Sequence, residues 1–476
     1  MKKLIYISFL LAGCLCAAAQ ERFISGQPFH SEMLGKDLPY AVVLPEDYEN
    51  RPDKSYPVIY LTHGLGCTPD DWNDRYIRFE ATLKQLEADG LGNFIYIFPT
   101  GFNSYYSNTY DGSFPYMDMF IKEFVPFIDS TYRTIADRQH RATVGFSMGG
   151  FGAMVLPLKN TDVFSISVPL SMSFRTDGQY LAEPLEWWDG QWGFIFGGVG
   201  QEGEARLTDY YKAHNPFYQF TAENHEELSK VKWFLHCGDD EEQLLIANDD
   251  LHVQMRENGY EHEYRVGDGG HTGTYWRSCL QEVLPYIESV MKGEGGCTEV
   301  KAFPETPKKV KRNTDGGTVI FLAYEGLRRG IVKDIIRIVK RDAGERPLAV
   351  VPCNTRWFSL ERKMKRWAGR HSFTDTQVIA LGKAGRDAYS LRDRFSRLYF
   401  DNADLLDDET ALTAEPDRFW FVSQTDDGPY YKDMGGLYKA CKKSGAEFEY
   451  RVRNGLPDKR TNILTGIETI KPYIIY

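Results

Sequence analysis

The sequence predicts an α/β fold built on a mostly parallel sheet. Three observations carry the prediction. Short apolar, β-prone runs alternate with helical patterns through the first three-fifths of the chain. A glycine-rich turn, Gly145-Phe146-Ser147-Met148-Gly149-Gly150, joins the β-prone run Arg141-Ala142-Thr143-Val144 to an apolar run, Phe151 to Leu156, that suits a helix. A serine, a cluster of acids and a histidine each follow a strand, in that order, at Ser147, 239–242 and His271.

The chain has 476 residues, enough for two or three domains. Its 42% apolar and 26% charged residues suit a globular protein. A net charge of -11 argues against a nucleic-acid partner, whose binding surface must be basic, and against adsorption to anionic lipid. Residues 1–20 read as an export signal: Lys2 and Lys3, an apolar stretch from Leu4 to Leu11, then Ala17-Ala18-Ala19 before Gln20. Leu11-Ala12-Gly13-Cys14 also matches a bacterial lipobox, so Cys14 is a candidate lipid anchor. Both readings place the protein outside the cytoplasm of a bacterium: in the periplasm, outside the cell or on its surface. The cysteines form no Cys-x-x-Cys pair, hence neither a metal knuckle nor a dense disulfide framework.

The elements follow in order. Leu38 to Pro45 and Tyr56 to Thr62 are apolar strands, the second ending in the loop His63-Gly64-Leu65-Gly66. Residues 72–90 are helical, and Phe94 to Phe98 is a strand. Phe120, Phe124, Phe127 and Ile128 recur at helical spacing ahead of the Ser147 strand. Residues 173–220 break the alternation with Trp187, Trp188, Trp192, Phe194 and Phe196 among glycines and acids; this is either a lid over a cleft or a surface excursion with its own apolar cluster. Val231 to Cys237 is a strand running into Gly238-Asp239-Asp240-Glu241-Glu242. A helix and the strand Glu263 to Val266 then lead to His271.

In a parallel sheet the C-terminal strand ends share one edge, so these distant groups can converge. A serine hydroxyl needs an imidazole to take its proton, and the imidazole needs a carboxylate to fix its tautomer. Ser147 is therefore the candidate nucleophile and His271 the base, in the chain order of α/β-hydrolases. The oxyanion donors are the backbone N–H groups of Met148 and, from the earlier loop, Leu65. No cofactor or metal is implied; His63 has no partner at ligand spacing.

Residues 38–290 resemble the esterase D-like family of α/β-hydrolases, which includes feruloyl and acetyl-xylan esterases. The carrying stretches are Tyr60 to Gly66, Tyr132 to Arg138, Gly145 to Gly150 and Gly270 to Arg277. The resemblance implies ester hydrolysis through Ser147 and His271. At the acid the sequence departs from the family, which ends that strand Cys-Gly-x-x-Asp. Glu241 falls at the family position, but the loop reads one residue longer and Asp240 has the more usual short arm, so the reading leans to Asp240 and keeps Glu241 open. The expected substrate is an acyl ester on plant polysaccharide, feruloyl or acetyl groups on xylan. An acyltransferase and a non-catalytic carbohydrate-binding protein on the same scaffold are the alternatives.

Residues 291–317, with Gly295-Gly296 and Pro307-Lys308-Lys309, read as a linker. Beyond it, residues 318–476 repeat the pattern. Glu447-Phe448-Glu449-Tyr450-Arg451-Val452 parallels Glu261-His262-Glu263-Tyr264-Arg265-Val266, and Phe419 to Asp427 parallels Lys232 to Asp240. Matching glycines sets Ala384 opposite Ser147, and Pro457 or Asp458 opposite His271. The expectation is a smaller, degenerate copy of the first domain without its chemistry, serving in packing, dimerisation or glycan binding. Cutting near Gly296 is then expected to spare activity on a small ester unless the second half buries apolar surface of the first.

Overall fold

Among the described residues, fourteen strands form one sheet in the computed structural model of the chain. The structure describes residues 22–295, 317–341, 348–369, 371, 373–405 and 412–474; the segment read as an export signal, with Cys14, and most of the segment read as a linker lie outside them. The first half supplies β1 (Phe23–Gln27), β2 (Tyr40–Val43), β3 (Val58–Thr62), β4 (Ile95–Phe98), β5 (Arg141–Phe146), β6 (Ile166–Leu170), β7 (Lys232–Gly238) and β8 (His262–Gly267). The second supplies β9 (Thr318–Tyr324), β10 (Leu348–Asn354), β11 (Asp375–Leu381), β12 (Arg397–Asp401), β13 (Phe419–Thr425) and β14 (Glu447–Arg453). The order across the sheet is β1-β2-β4-β3-β5-β6-β7-β8-β14-β13-β12-β11-β9-β10. The pairs β1/β2, β2/β4 and β8/β14 are antiparallel, and the rest are parallel.

The strands β3 and β4 are buried along their whole length, as runs without polar alternation require. Helices cover both faces. On one face of the first half, α1 (Phe79–Ala88) contributes Leu83 and Leu86, and the long helix Gly273–Met291 contributes Val283, Leu284 and Ile287. The opposite face carries α2 (Met148–Lys159) and α3 (Glu242–Glu257). The long helix is α4, and the second half adds α5 (Arg329–Lys340), α6 (Tyr431–Ser444) and α7 (Lys459–Ile470). The core beneath α2 and α3 continues without a break to Met434, Leu437 and Tyr438 of α6, so one hydrophobic core spans both halves. The core beneath α5 and α7 belongs to the second half.

Read outward from the joint, the halves have the same strand order: β8-β7-β6-β5-β3-β4 on one side, β14-β13-β12-β11-β9-β10 on the other. Across the joint, Val266 and Asp249 each meet the residue 186 positions further on, and ion pairs cross it. Val266 pairs with Val452. Gly435 lies so close to Asp249 that a Cβ on it would stand 2.6 Å from the Asp249 Oδ2. Arg265 Nη1 reaches Asp426 Oδ2 at 2.5 Å, and Arg451 Nη1 reaches Asp239 Oδ2 at 2.5 Å. Each half gives an arginine and receives one, the reciprocity of an isologous contact.

In the second half the structure corrects the expected counterpart of the nucleophile. Gly382, not Ala384, stands where Ser147 stands. Ser147 follows the last residue of β5 with φ 59°, and Gly382 follows the last residue of β11 with φ 57°. Each carbonyl accepts the same bond, from Ser173 N in the first half and Asp404 N in the second. Ala384 sits two residues on, at an ordinary helical φ of -73°. Glycine takes the left-handed conformation freely, so at this turn it replaces the serine itself rather than the motif's first glycine.

Candidate active site

Ser147 sits at a strained strand-to-helix turn, φ 59° and ψ -122°, between β5 and α2. Packing dictates the glycines around it. A Cβ on Gly145 would stand 2.0 Å from Thr62 Oγ1, and one on Gly149 would stand 2.1 Å from the Thr62 carbonyl oxygen. Thr62 Oγ1 donates to the Gly149 carbonyl at 2.6 Å, tying the start of α2 to the end of β3. The turn thereby holds the hydroxyl at the carboxyl edge of the sheet.

His271, in the loop after β8, places Nε2 2.8 Å from Ser147 Oγ. Its Nδ1 lies 2.8 Å from Glu241 Oε2. A carboxylate can only accept, so Nδ1 carries the proton and Nε2 is free to accept the serine's. The partner is Glu241 and not Asp240, which corrects the lean of the sequence reading. The turn after β7 closes through Glu241 N–H to the Gly238 carbonyl, at 3.3 Å. It aims the longer Glu241 arm inward and leaves Asp240 exposed, with its N–H on the Gly269 carbonyl at 2.9 Å. The Glu241 side chain is fully buried. Its second oxygen accepts from Ser171 Oγ and from Gly238 N–H at 3.1 Å. Ser171 in turn accepts from Trp276 Nε1 at 2.8 Å. Trp276 stacks on Phe146 at 4.2 Å and meets the edge of His271 at 5.0 Å. Ser171, which follows β6 in the left-handed region at φ 49°, is the residue the sequence reading passed over. Its position at a strand end was the available signal.

The loop after β3 lies beside the nucleophile: a Cβ on Gly64 would stand 3.4 Å from the Ser147 Cβ. Leu65 is the next residue of this loop, and Met148 opens α2 just after the serine. A helix start carries unpaired N–H groups and the positive end of the helix dipole, the environment a developing oxyanion needs. His63 fixes the loop. Its N–H donates to Tyr106 Oη at 2.7 Å, Gly101 N–H donates to its Nε2 at 2.8 Å, and its Nδ1 bonds the Gly64 carbonyl at 2.9 Å. Burial lowers its pKa, so it stays neutral in this structural role.

Segment 173–220 begins at the site, where Ser173 N–H donates to the Ser147 carbonyl at 3.0 Å. Trp188, Trp192 and Phe196 are buried, and Trp192 packs on Tyr105 at 4.5 Å. Buried Arg206 staples the segment through the carbonyls of Tyr180, Glu183 and Gln201. Trp187 and Phe194 are exposed, at 63% and 36%. Most of the aromatic content therefore fills a core rather than lining an open cleft.

The second half has none of the three reactive groups at the equivalent places. Gly382 replaces the serine. Gly428 replaces the acid, its N–H on the Thr425 carbonyl at 2.8 Å as Glu241 bonds Gly238. Pro457 replaces the histidine; the next residue, Asp458, caps α7 through Thr461 N–H as Thr272 caps α4 through Tyr275 N–H. A cavity of about 610 Å³ remains at that edge, lined among others by Glu325, Lys383, Asn402, Tyr430, Lys459 and Asn462.

The profile of the family described as "Putative esterase" matches residues 31–287. An esterase of Mycobacterium tuberculosis is 27% identical over 258 residues, covering 51% of this chain and 54% of that protein. An endo-1,4-beta-xylanase/feruloyl esterase of Xylanibacter ruminicola is 26% identical over 266 residues, covering 54% of this chain and 30% of that protein. The chain thus spans about half, or less, of the length of these relatives. A ferulic acid esterase of known structure is 28% identical, with 56% of this chain and 98% of that chain covered and a TM-score of 0.47. The chain belongs to this esterase family, a serine-hydrolase family of esterase D-like α/β-hydrolases that includes feruloyl and acetyl esterases.

Proposed function

We propose that the protein is an exported bacterial carboxylesterase that removes feruloyl or acetyl groups from plant polysaccharide such as xylan. One observation carries the chemistry: the unbroken chain from Ser147 Oγ through His271 to buried Glu241, at 2.8 Å per step. Ser147 attacks the ester carbonyl and His271 Nε2 takes its proton. The Met148 and Leu65 N–H groups stabilise the oxyanion, about 2.7–4 kcal/mol for one donor. His271 then protonates the leaving alcohol, and water, activated by the same imidazole, hydrolyses the acyl-enzyme. Glu241 holds the tautomer throughout. The substrate class is supported by the feruloyl esterase named in one relative and by an acetyl esterase of Caldicellulosiruptor saccharolyticus, 23% identical over 276 residues. The leader at 1–20 supports export. The second half is proposed as a non-catalytic copy.

The test is hydrolysis of methyl ferulate, acetylated xylan and p-nitrophenyl acetate, assayed in parallel. Ser147→Ala should lower kcat by about 10⁴-fold or more, and Glu241→Gln should cost orders of magnitude, while Asp240→Asn stays within a few-fold. A well-folded Ser147→Ala protein with normal turnover would end the reading. Turnover of p-nitrophenyl acetate alone would keep the esterase and remove the polysaccharide.

A further inference from the structure

The turn carrying Glu241 and the loop carrying His271 are bonded to each other. Asp239 N–H donates to the Gly267 carbonyl at 3.0 Å, Asp240 N–H to the Gly269 carbonyl at 2.9 Å, and Gly269 N–H to Asp239 Oδ1 at 3.2 Å. They are also clamped from outside. Arg451, on β14 of the second half, places Nη1 2.5 Å from Asp239 Oδ2, and Nη2 3.4 Å from Asp268 Oδ1 and 2.7 Å from Glu449 Oε2. Tyr450 N–H adds a bond to Asp239 Oδ2 at 3.2 Å. Asp239 lies two residues before Glu241, and Asp268 three before His271.

Asp239, Asp268 and Glu449 bring oxygens within 4.8 Å of one another, a grouping that resembles a cation site. The guanidinium bonded to all three is its counter-charge. Without it, the carboxylates would repel, and the repulsion would act between the acid's turn and the base's loop.

We propose that the second half is a working part of the first half's active site, with Arg451 as the positioning residue that holds Glu241 and His271 in register. The inference rests on the Ser147-His271-Glu241 reading. It gives the copy a reason to persist without chemistry: the catalytic edge is completed by a strand that only the copy supplies.

The reciprocity of the joint provides an internal control. Asp426 is to the second half what Asp239 is to the first. It receives Arg265, accepts Gly455 N–H on Oδ1 at 2.9 Å, and donates its N–H to the Arg453 carbonyl at 2.8 Å. Asp239→Asn and Asp426→Asn each remove one charge from the same kind of bond, and both spare the arginines, whose loss would leave buried carboxylates unpaired and threaten folding. The experiment measures kcat, KM and the urea midpoint for both variants of the full chain on p-nitrophenyl acetate, with fluorophosphonate labelling of Ser147 as a separate readout. Both should shift the midpoint by similar amounts. Asp239→Asn should lower kcat about tenfold to hundredfold with KM within about twofold, as misplacement of a catalytic group does, and Asp426→Asn should leave kcat within about twofold. Equal effects on kcat, or an unchanged kcat in Asp239→Asn, would overturn the proposal with the esterase reading intact. Failure of Ser147 to label in the wild-type chain would instead remove the reading beneath it.

Discussion

Asp249 is a carboxylate that water does not reach. Its Oδ1 accepts the Tyr450 hydroxyl at 2.8 Å, and Lys439 Nζ stands 3.9 Å from Oδ2. Burial, the largest cause, raises its pKa to about 6, against the partial opposition of Lys439. The fold thus favours the protonated acid. The stability this gives is complete below the unfolded pKa near 4 and is lost as pH rises through 6. Asp249→Asn stays neutral, so the stability of wild type relative to the variant should fall by about 2 kcal/mol between pH 4.5 and 7.5. Urea unfolding of both proteins at the two pH values measures this, and a difference independent of pH would contradict it. Other residues show where sequence reasoning reaches. Ser147 and His271 were legible because each ends a strand inside a glycine-rich turn. The acid was not, since 239–242 offers four neighbouring carboxylates, and what separates them is three-dimensional: a turn closure aims Glu241 inward, and Asp239 is engaged by Arg451, 212 residues further on. Long-range ion pairs leave no local signature.

At the scale of elements, the nucleophile turn depends on the crossing of β3, β5 and α2. A methyl on Gly149 would meet main-chain atoms, the Thr62 carbonyl oxygen at 2.1 Å and the His63 oxygen at 2.6 Å, and neither can rotate away. Gly149→Ala should therefore cost about 1–3 kcal/mol or more from overpacking and displace the loop that carries Leu65. A loss of both thermal midpoint and kcat is expected; an unchanged protein would mean that α2 can move aside. The strand–helix alternation made the first-half elements readable, because buried parallel strands are unbroken apolar runs. Segment 173–220 was less readable. Composition marks an aromatic cluster, but whether it faces the cleft or its own core depends on Arg206 and the carbonyls it gathers.

At the scale of the whole molecule, the joint ties the fate of the halves together. Leu251 and Met255 of α3 share a core with Met434 and Leu437 of α6. Arg265 is held between Asp426 and its own half's Glu263 and Glu282. A protein ending near Gly296 would expose that apolar surface and leave Arg265 and Asp239 without their cross-joint partners. Because the second half buries apolar surface of the first, residues 22–295 should be poorly soluble or have a much lower unfolding midpoint than the full chain, as circular dichroism and size-exclusion chromatography would show. A soluble, fully active fragment would contradict this. The likeness of the halves was visible in strands 186 residues apart, but their meeting was not, because edge pairing of two similar strands is a property of three dimensions.

The reciprocal contact has a consequence for how the protein behaves in dilute surroundings. Two separate chains meeting through such a surface would part as their concentration fell, and Arg451 would leave with its own chain. Here one covalent chain carries both faces, so their encounter is intramolecular, at an effective concentration on the order of millimolar for a short tether. Specific activity should stay constant however far the enzyme is diluted.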